Sequence, residues 1–274
     1  CGETDTVIDE GSRIGLQIKD FQIGKDITLY LESGVWVCHD PITIEDGIAF
    51  NSPVEFVADK VVYSRLATKD TMSIILPFDV PADRLNGVAY KFTSFDGKNL
   101  FFESTDGIQA NTPCMLSGIK TLGEAVITAE LENVTIKASN PIDVEDATGK
   151  SAHFGVYEKS LFECDEYDYY GFKNNQFVKA GIDIEVSPFR AAVRLKKSAL
   201  RSLSYNPATL GIVFDGNEVT HAADIEQTMT GKVNVHDVTG RILRHNVEAA
   251  NCTDGLEPGV YVVNGKKVVV TVKE

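Results

Sequence analysis

Residues 233–274 read VNVHDVTGRILRHNVEAANCTDGLEPGVYVVNGKKVVVTVKE, and turn chemistry predicts two hairpins within them. Val233–Val238 leads through Thr239-Gly240 into Arg241–Val247, and Gly259–Val263 leads through Asn264-Gly265 into Lys266–Val272. Asn-Gly readily takes the two positive φ angles of a type I′ turn, whose twist matches that of the strands it joins. The β-branched runs on either side suit a pleated, half-buried surface. Working upstream, short alternating runs punctuated by Gly, Asn, Asp and Pro predict strands at Ile27–Leu31, Val35–Val37, Phe56–Tyr63 and Ser73–Pro77. Further strands are predicted at Val88–Phe92, Leu100–Glu103, Ala125–Glu130, Val134–Ala138, Gln176–Lys179, Ala191–Leu195 and Gly211–Phe214. Within FTSFDGKNL, Asp96-Gly97 supplies the turn of another hairpin. Helical periodicity is confined to single turns near Ala82–Leu85 and Lys197–Leu203. The chain therefore reads as all-β: an antiparallel β-sandwich or jelly-roll-like core with a small C-terminal β-hairpin unit.

The organisation follows from where the pattern breaks. A strand ends at Phe214-Asp215-Gly216 and a polar stretch follows, so residues 217–274 form the small C-terminal unit and 54–216 the main sandwich. Pro53 interrupts any central strand, which leaves 1–53 as an N-terminal β segment packing on the core. That segment shows only a few strand-like runs, too few to stand alone.

Composition narrows the partners. The 274 residues carry 26 Lys and Arg against 40 Asp and Glu, a net charge of −14. Nucleic acid binding needs a basic footprint, and anionic lipid repels such a surface. Hydrophobic residues at 43% with 24% charged fit a globular chain with a real core, and no window reaches the ~18–20 apolar residues that span a bilayer.

The sequence offers little chemistry of its own. Cys38, Cys114, Cys164 and Cys252 are widely spaced with no CxxC, so no zinc site or other cofactor is implied. Cys38 and Cys114 lie in apolar strand-like runs and are expected as free buried thiols, although four cysteines would also allow two disulfides in three connectivities. Cys164, amid Glu163, Asp165 and Glu166, sits in an anionic setting that opposes nucleophilic use. His39, His153, His221, His236 and His245 form no recognised ligand spacing, and there is no G-x-S-x-G, P-loop or GxGxxG. Acidic groups Asp143, Glu145 and Asp146, and Glu163 through Asp168, read as solvated loops rather than as a calcium site or a glycosidase pair. The chain is not expected to be an enzyme.

One cluster suggests binding. Tyr167, Tyr169 and Tyr170 alternate with Asp165 and Asp168 in ECDEYDYYGF, a composition that can stack on sugar rings and accept their hydroxyl hydrogen bonds. Strand alternation would instead bury part of the set. Trp36 reads as core.

From about Ile44 to Gly216 the chain resembles a β-rich module of secreted proteins from gut Bacteroides and Prevotella. The resemblance rests on FVADKVVYSR (Phe56–Arg65), IILPFDVPAD (Ile74–Asp83), VAYKFTS (Val88–Ser94), IQANTPCML (Ile108–Leu116), the YYGF…FVKA passage (Tyr169–Ala180) and SPFRA (Ser187–Ala191). Met72 and Ser73 stand where that family usually has Trp, and no activity accompanies the resemblance. In the tail, DVTGR (Asp237–Arg241), GVYVV (Gly259–Val263) and KKVVV (Lys266–Val270) are similar to the C-terminal sorting domain of type IX secretion. A complete domain of that kind needs about seven strands. The shorter segment is either a working signal read by secretion machinery or a degenerate copy kept for structure.

Cys1-Gly2, followed by Glu3, Asp5, Asp9 and Glu10, resembles the start of a surface-exported lipoprotein, with Cys1 as the lipid attachment site. Outer-membrane attachment would then run only through that lipid. Asp5-Thr6-Val7 and Asp70-Thr71-Met72 match a short Bacteroides O-glycosylation pattern. The expectation is a non-enzymatic binding or adhesion module, extracellular or on the outer-membrane surface, for a glycan or another surface protein. The alternative is a structural or accessory spacer that carries a sorting element.

Overall fold

Asp96 closes its hairpin by accepting hydrogen bonds at Oδ1 from the N–H groups of Lys98 (2.8 Å) and Asn99 (2.7 Å), while Gly97 takes φ 103°. The strands it joins, Val88–Phe95 and Asn99–Ser104, pair antiparallel with Leu100 opposite Phe95. The structure, a computed structural model, describes residues 4–10, 13–200, 207–215, 217–218, 232–237, 240–248, 251–256, 259–263 and 266–270. It is all-β and sandwich-like, with a 3-10 turn at Ala82–Arg84 and one helical turn at Lys197–Leu200, where single turns were expected. The chain divides into two compact units, residues 1–217 and 218–274.

In the first unit, one sheet runs in the order Thr4–Glu10, Arg13–Gln22, Lys25–Glu32, Val35–Cys38, Phe56–Ser64, Leu131–Ile136, with Ile42–Glu45 also paired to Phe56–Ser64. The region before Pro53 is richer in strands than its sequence suggests, and it shares this sheet with strands beyond the proline. A second, eleven-stranded sheet runs from Val144–Glu145 through Ser151–Val156, Arg190–Lys196, Tyr167–Lys173, Gln176–Lys179, Thr209–Phe214, Asn99–Ser104, Val88–Phe95 and Cys114–Ser117 to Met72–Ile74. Asn217–Glu218 pairs beside Thr209–Phe214.

Two large cores and a smaller cluster around Phe154 and Tyr169 hold this unit together. Ile18, Phe21, Leu29 and Phe56 from the first sheet meet Ile74, Ala89 and Leu116 from the second, and Trp36 packs against this cluster. The long sheet also curls on itself, bringing Phe92 and Phe102 against Tyr170, Phe177 and Val193. Burying an aromatic or aliphatic side chain of this size contributes about 1.5–3 kcal/mol, so these clusters dominate stability.

One expected strand is corrected. Ala125–Glu130 makes only isolated bridges, Leu66 with Ala125 and Leu85 with Ile127. The N–H of Val126 donates to the Arg65 carbonyl (2.8 Å) and that of Thr128 to the Arg84 carbonyl (2.9 Å). The run divides its hydrogen bonds between two partners, so no ladder forms.

In the second unit the strands order as Ile242–Glu248, Lys232–Asp237, Gly259–Val263, Lys266–Val270. Val263 stands opposite Lys266, so the hairpin predicted at Asn264-Gly265 is formed, although those two residues lie outside the described ones. The other hairpin also forms: Gly240 takes φ 87° and Asp237 Oδ1 accepts the Arg241 N–H (3.0 Å). Val233, Val235, Cys252 and Val263 make its buried cluster.

Candidate functional site

The tyrosine cluster does not present a sugar platform. Tyr167–Lys173 runs between Arg190–Lys196 and Gln176–Lys179, deep inside the long sheet. On one face Tyr170, 0% exposed, packs with Phe177 and donates from its hydroxyl to the Pro207 carbonyl (3.0 Å). On the other, Tyr169, 8% exposed, packs with Phe154 and Phe162 beneath the two-stranded ribbon Ser160–Glu163/Asp183–Val186. Because both faces are covered, alternation exposes neither ring. Asp168 is buried as well, its Oδ2 accepting from Lys179 Nζ at 2.6 Å. Tyr167 is half-buried, with the Arg194 guanidinium 5.1 Å from its ring centroid, and Arg194 in turn pairs with Asp143 at 2.7 Å. Asp165 alone of these five residues is exposed.

Other sequence expectations also find their place. Cys38 and Cys114 are buried free thiols, Cys252 is buried, and Cys164 is free and half-buried. Burial pushes the Cys38 thiol up to about 11 and the Cys114 thiol up to about 12. Thr71 is buried with its hydroxyl 2.8 Å from Ser117 Oγ, which closes the Asp70-Thr71-Met72 acceptor to modification of the folded chain. Cys1 and the side chain of Thr6 lie outside the described residues.

No motif in the sequence marks a half-buried charge cluster around Asp46. Asp46 accepts from Arg190 Nη1 and Nη2, both at 2.6 Å, and from the Tyr63 hydroxyl at 2.5 Å; Arg65 Nε lies 3.8 Å away. Burial pushes the Asp46 carboxyl up, but the Arg190 hydrogen bonds, the Arg65 charge and the Tyr63 hydroxyl outweigh it and hold the carboxyl below its usual range. Every group in the cluster is committed to another, so it works as a cross-link between segments 144 residues apart. His39 bridges two strands from the surface, its ring nitrogens 2.9 Å from Asp59 and 3.0 Å from Glu32, and these hydrogen bonds raise its pKa. Among the described residues no three His, Cys, Asp or Glu side chains converge as a metal-ligand set.

Two depressions lie elsewhere, on either side of a ridge formed by Asp79 and Pro81. The first depression, about 440 Å³, has an apolar floor of Val80, Ile108 and Cys114 under a rim of Lys91, Asp106 and Gln109. The second, about 630 Å³, is backed by Leu131 and Val134 and rimmed by Glu130, Glu132 and Arg84. Backbone chemistry opens them. Val80–Pro81 pairs with Gly107–Ile108 and not with the strand Leu131–Ile136, which pairs with Phe56–Ser64. Gly107 makes that pairing possible: at φ 138°, an added Cβ would lie 2.1 Å from the Val80 carbonyl oxygen. Asp79 Oδ1 accepts the Ala110 N–H at 2.7 Å and fixes the ridge. None of the lining residues is aromatic. Compared with known proteins, the chain matches no family model, no curated protein and no solved structure.

Proposed function

We propose that the protein is a non-enzymatic binding module, exported or displayed at the cell surface, whose ligand is another surface protein. The paired depressions beside Asp79 and Pro81 carry this reading: apolar floors beneath charged and amide rims are what a protein partner's side chains require. Their lack of aromatic rings, with Tyr169 and Tyr170 buried, favours a protein over a glycan. The surface address rests on the resemblance of the tail to a sorting domain.

The test is binding of the immobilised full chain to a glycan array and to a panel of purified extracellular proteins. Protein analytes should bind, and the double variant Asp79→Asn/Glu132→Gln should lose them while keeping its melting temperature. No analyte at millimolar concentration, or binding indifferent to the double variant, overturns the reading. Glycan-only binding replaces it with a carbohydrate module. A structural spacer with a sorting element is the second reading, favoured by the separate compact unit at 218–274. Mass spectrometry of the protein recovered from its own cells decides whether Cys1 is acylated and whether the tail is retained.

A further inference from the structure

Segments 77–86 and 126–137 run antiparallel and are hydrogen-bonded at both ends but not between. At one end the Lys137 N–H donates to the Pro77 carbonyl (2.7 Å); at the other, the Thr128 N–H donates to the Arg84 carbonyl (2.9 Å) and the Asn86 N–H to the Val126 carbonyl (2.9 Å). Between these clasps the ladder is open, and the opening is the depression of about 630 Å³. Its far wall, Leu131–Ile136, is the last strand of its sheet. A terminal strand facing a gap invites strand addition. Two features prevent it here. The clasps close both ends, so no extended chain can run through, and Asn133, at φ 53°, turns the middle of the strand out of ladder geometry. The depression therefore admits a side chain from above rather than a strand from the end.

Charge determines which side chain. Glu130 is paired with Lys60 at 2.5 Å, and Arg84 lies 3.9 Å from Asp83. Lys60 stands opposite Glu132 and feels its charge, but its ammonium is bonded to Glu130, so the Glu132 carboxylate has no ion pair or hydrogen bond of its own among the described residues; Asp79 makes no ion pair there. Both face the depression, on a molecule of net charge −14. We propose that this depression receives one basic side chain, arginine in preference to lysine, from the partner protein. The inference rests on the reading of the protein as a binder of surface proteins. A planar guanidinium can meet the Glu132 carboxylate and backbone oxygens together, which a point-like ammonium does less well.

The probes are capped pentapeptides Gly-Gly-X-Gly-Gly with X as Arg, Lys, Gln or Glu, titrated at millimolar concentration into the full chain. Amide shifts of Asp79–Arg84 and Glu130–Thr135 are followed by NMR. The Arg peptide should move these amides most, the Lys peptide less, and the Gln and Glu peptides not at all. Glu132→Gln should weaken the Arg peptide about two- to fivefold, as an exposed charge pair does, and Arg84→Gln should strengthen it by a similar factor. Equal shifts from the Gln peptide, an Arg affinity unmoved by Glu132→Gln, or no shift with any peptide overturns the inference. If purified proteins still bind the chain in that case, the inference alone fails and the broader reading stands.

Discussion

His153 should make the first unit acid-sensitive, and replacing it should remove that sensitivity. Its ring is fully buried, edge-on to Phe102 at 5.4 Å and Phe177 at 6.2 Å. Its strand neighbours are Val144 and Val193. Neither ring nitrogen has a hydrogen-bond partner; the Pro113 carbonyl faces the ring without meeting hydrogen-bond geometry. Burial lowers the imidazole from 6.5 to about 3, so the folded chain keeps it neutral where the unfolded chain takes up a proton. Stability from this group is thus complete above pH ~6.5 and is lost as pH falls toward 3, at about 1.4 kcal/mol per pH unit. At pH 4.5 the loss from His153 alone is about 3 kcal/mol, a large fraction of a typical 5–15 kcal/mol. In His153→Phe the unpaired nitrogens disappear, a gain of about 1–3 kcal/mol, against a similar cost for the larger ring. Near-equal stability is expected at pH 7.5, with the variant ahead by about 3 kcal/mol at pH 4.5. Urea titrations followed by the fluorescence of Trp36, the single tryptophan and a member of the first unit, report on the right region. The carboxylates titrate alike in both proteins and cancel in the difference. A gap between variant and wild type that stays constant from pH 7.5 to 4.5 would refute the reasoning.

Three further perturbations test the framework around the site. Asp46→Ala leaves Arg190 and Arg65 facing each other without their shared carboxylate and should cost about 3–5 kcal/mol in chemical denaturation. Because the Asp46 carboxyl is held low, its own contribution should persist on acidification and fade only as pH drops below the ordinary aspartate value of 3.8. Gly107→Ala drives a methyl group against the Val80 carbonyl oxygen and should lower stability by about 2 kcal/mol or more, with hydrogen exchange accelerated first at Val80–Ala82. Under native conditions a maleimide should reach Cys164 before Cys38, Cys114 or Cys252, with peptide mapping as the readout; rapid native labelling of Cys114 would contradict its burial.

What could be read from the sequence, and what could not, divides by the range of the interaction. The Asp96-Gly97 hairpin and the two C-terminal ones are encoded locally, since a turn needing positive φ selects its own residues, and both the strands and their pairing follow. Ser151–Val156 escaped because all six residues are buried, so SAHFGV has no alternation to betray a strand. Gly155 shows the constraint: a Cβ there would come within 2.9 Å of Ile75, 80 positions earlier in the sequence. The tyrosine cluster misled for the converse reason. YDYY looks amphipathic beside its acids, yet whether a strand has one wet face or none depends on which strands lie over it. The ribbon Ser160–Glu163/Asp183–Val186 covers the face that alternation alone would have exposed. The depressions were hidden more deeply still, because each is a space between segments. Nothing in PFDVPADRLN announces that Thr128 and Lys137 will clasp it at two points and leave it open between them. A depression made by withholding pairing leaves no motif, and only the register of distant segments reveals it.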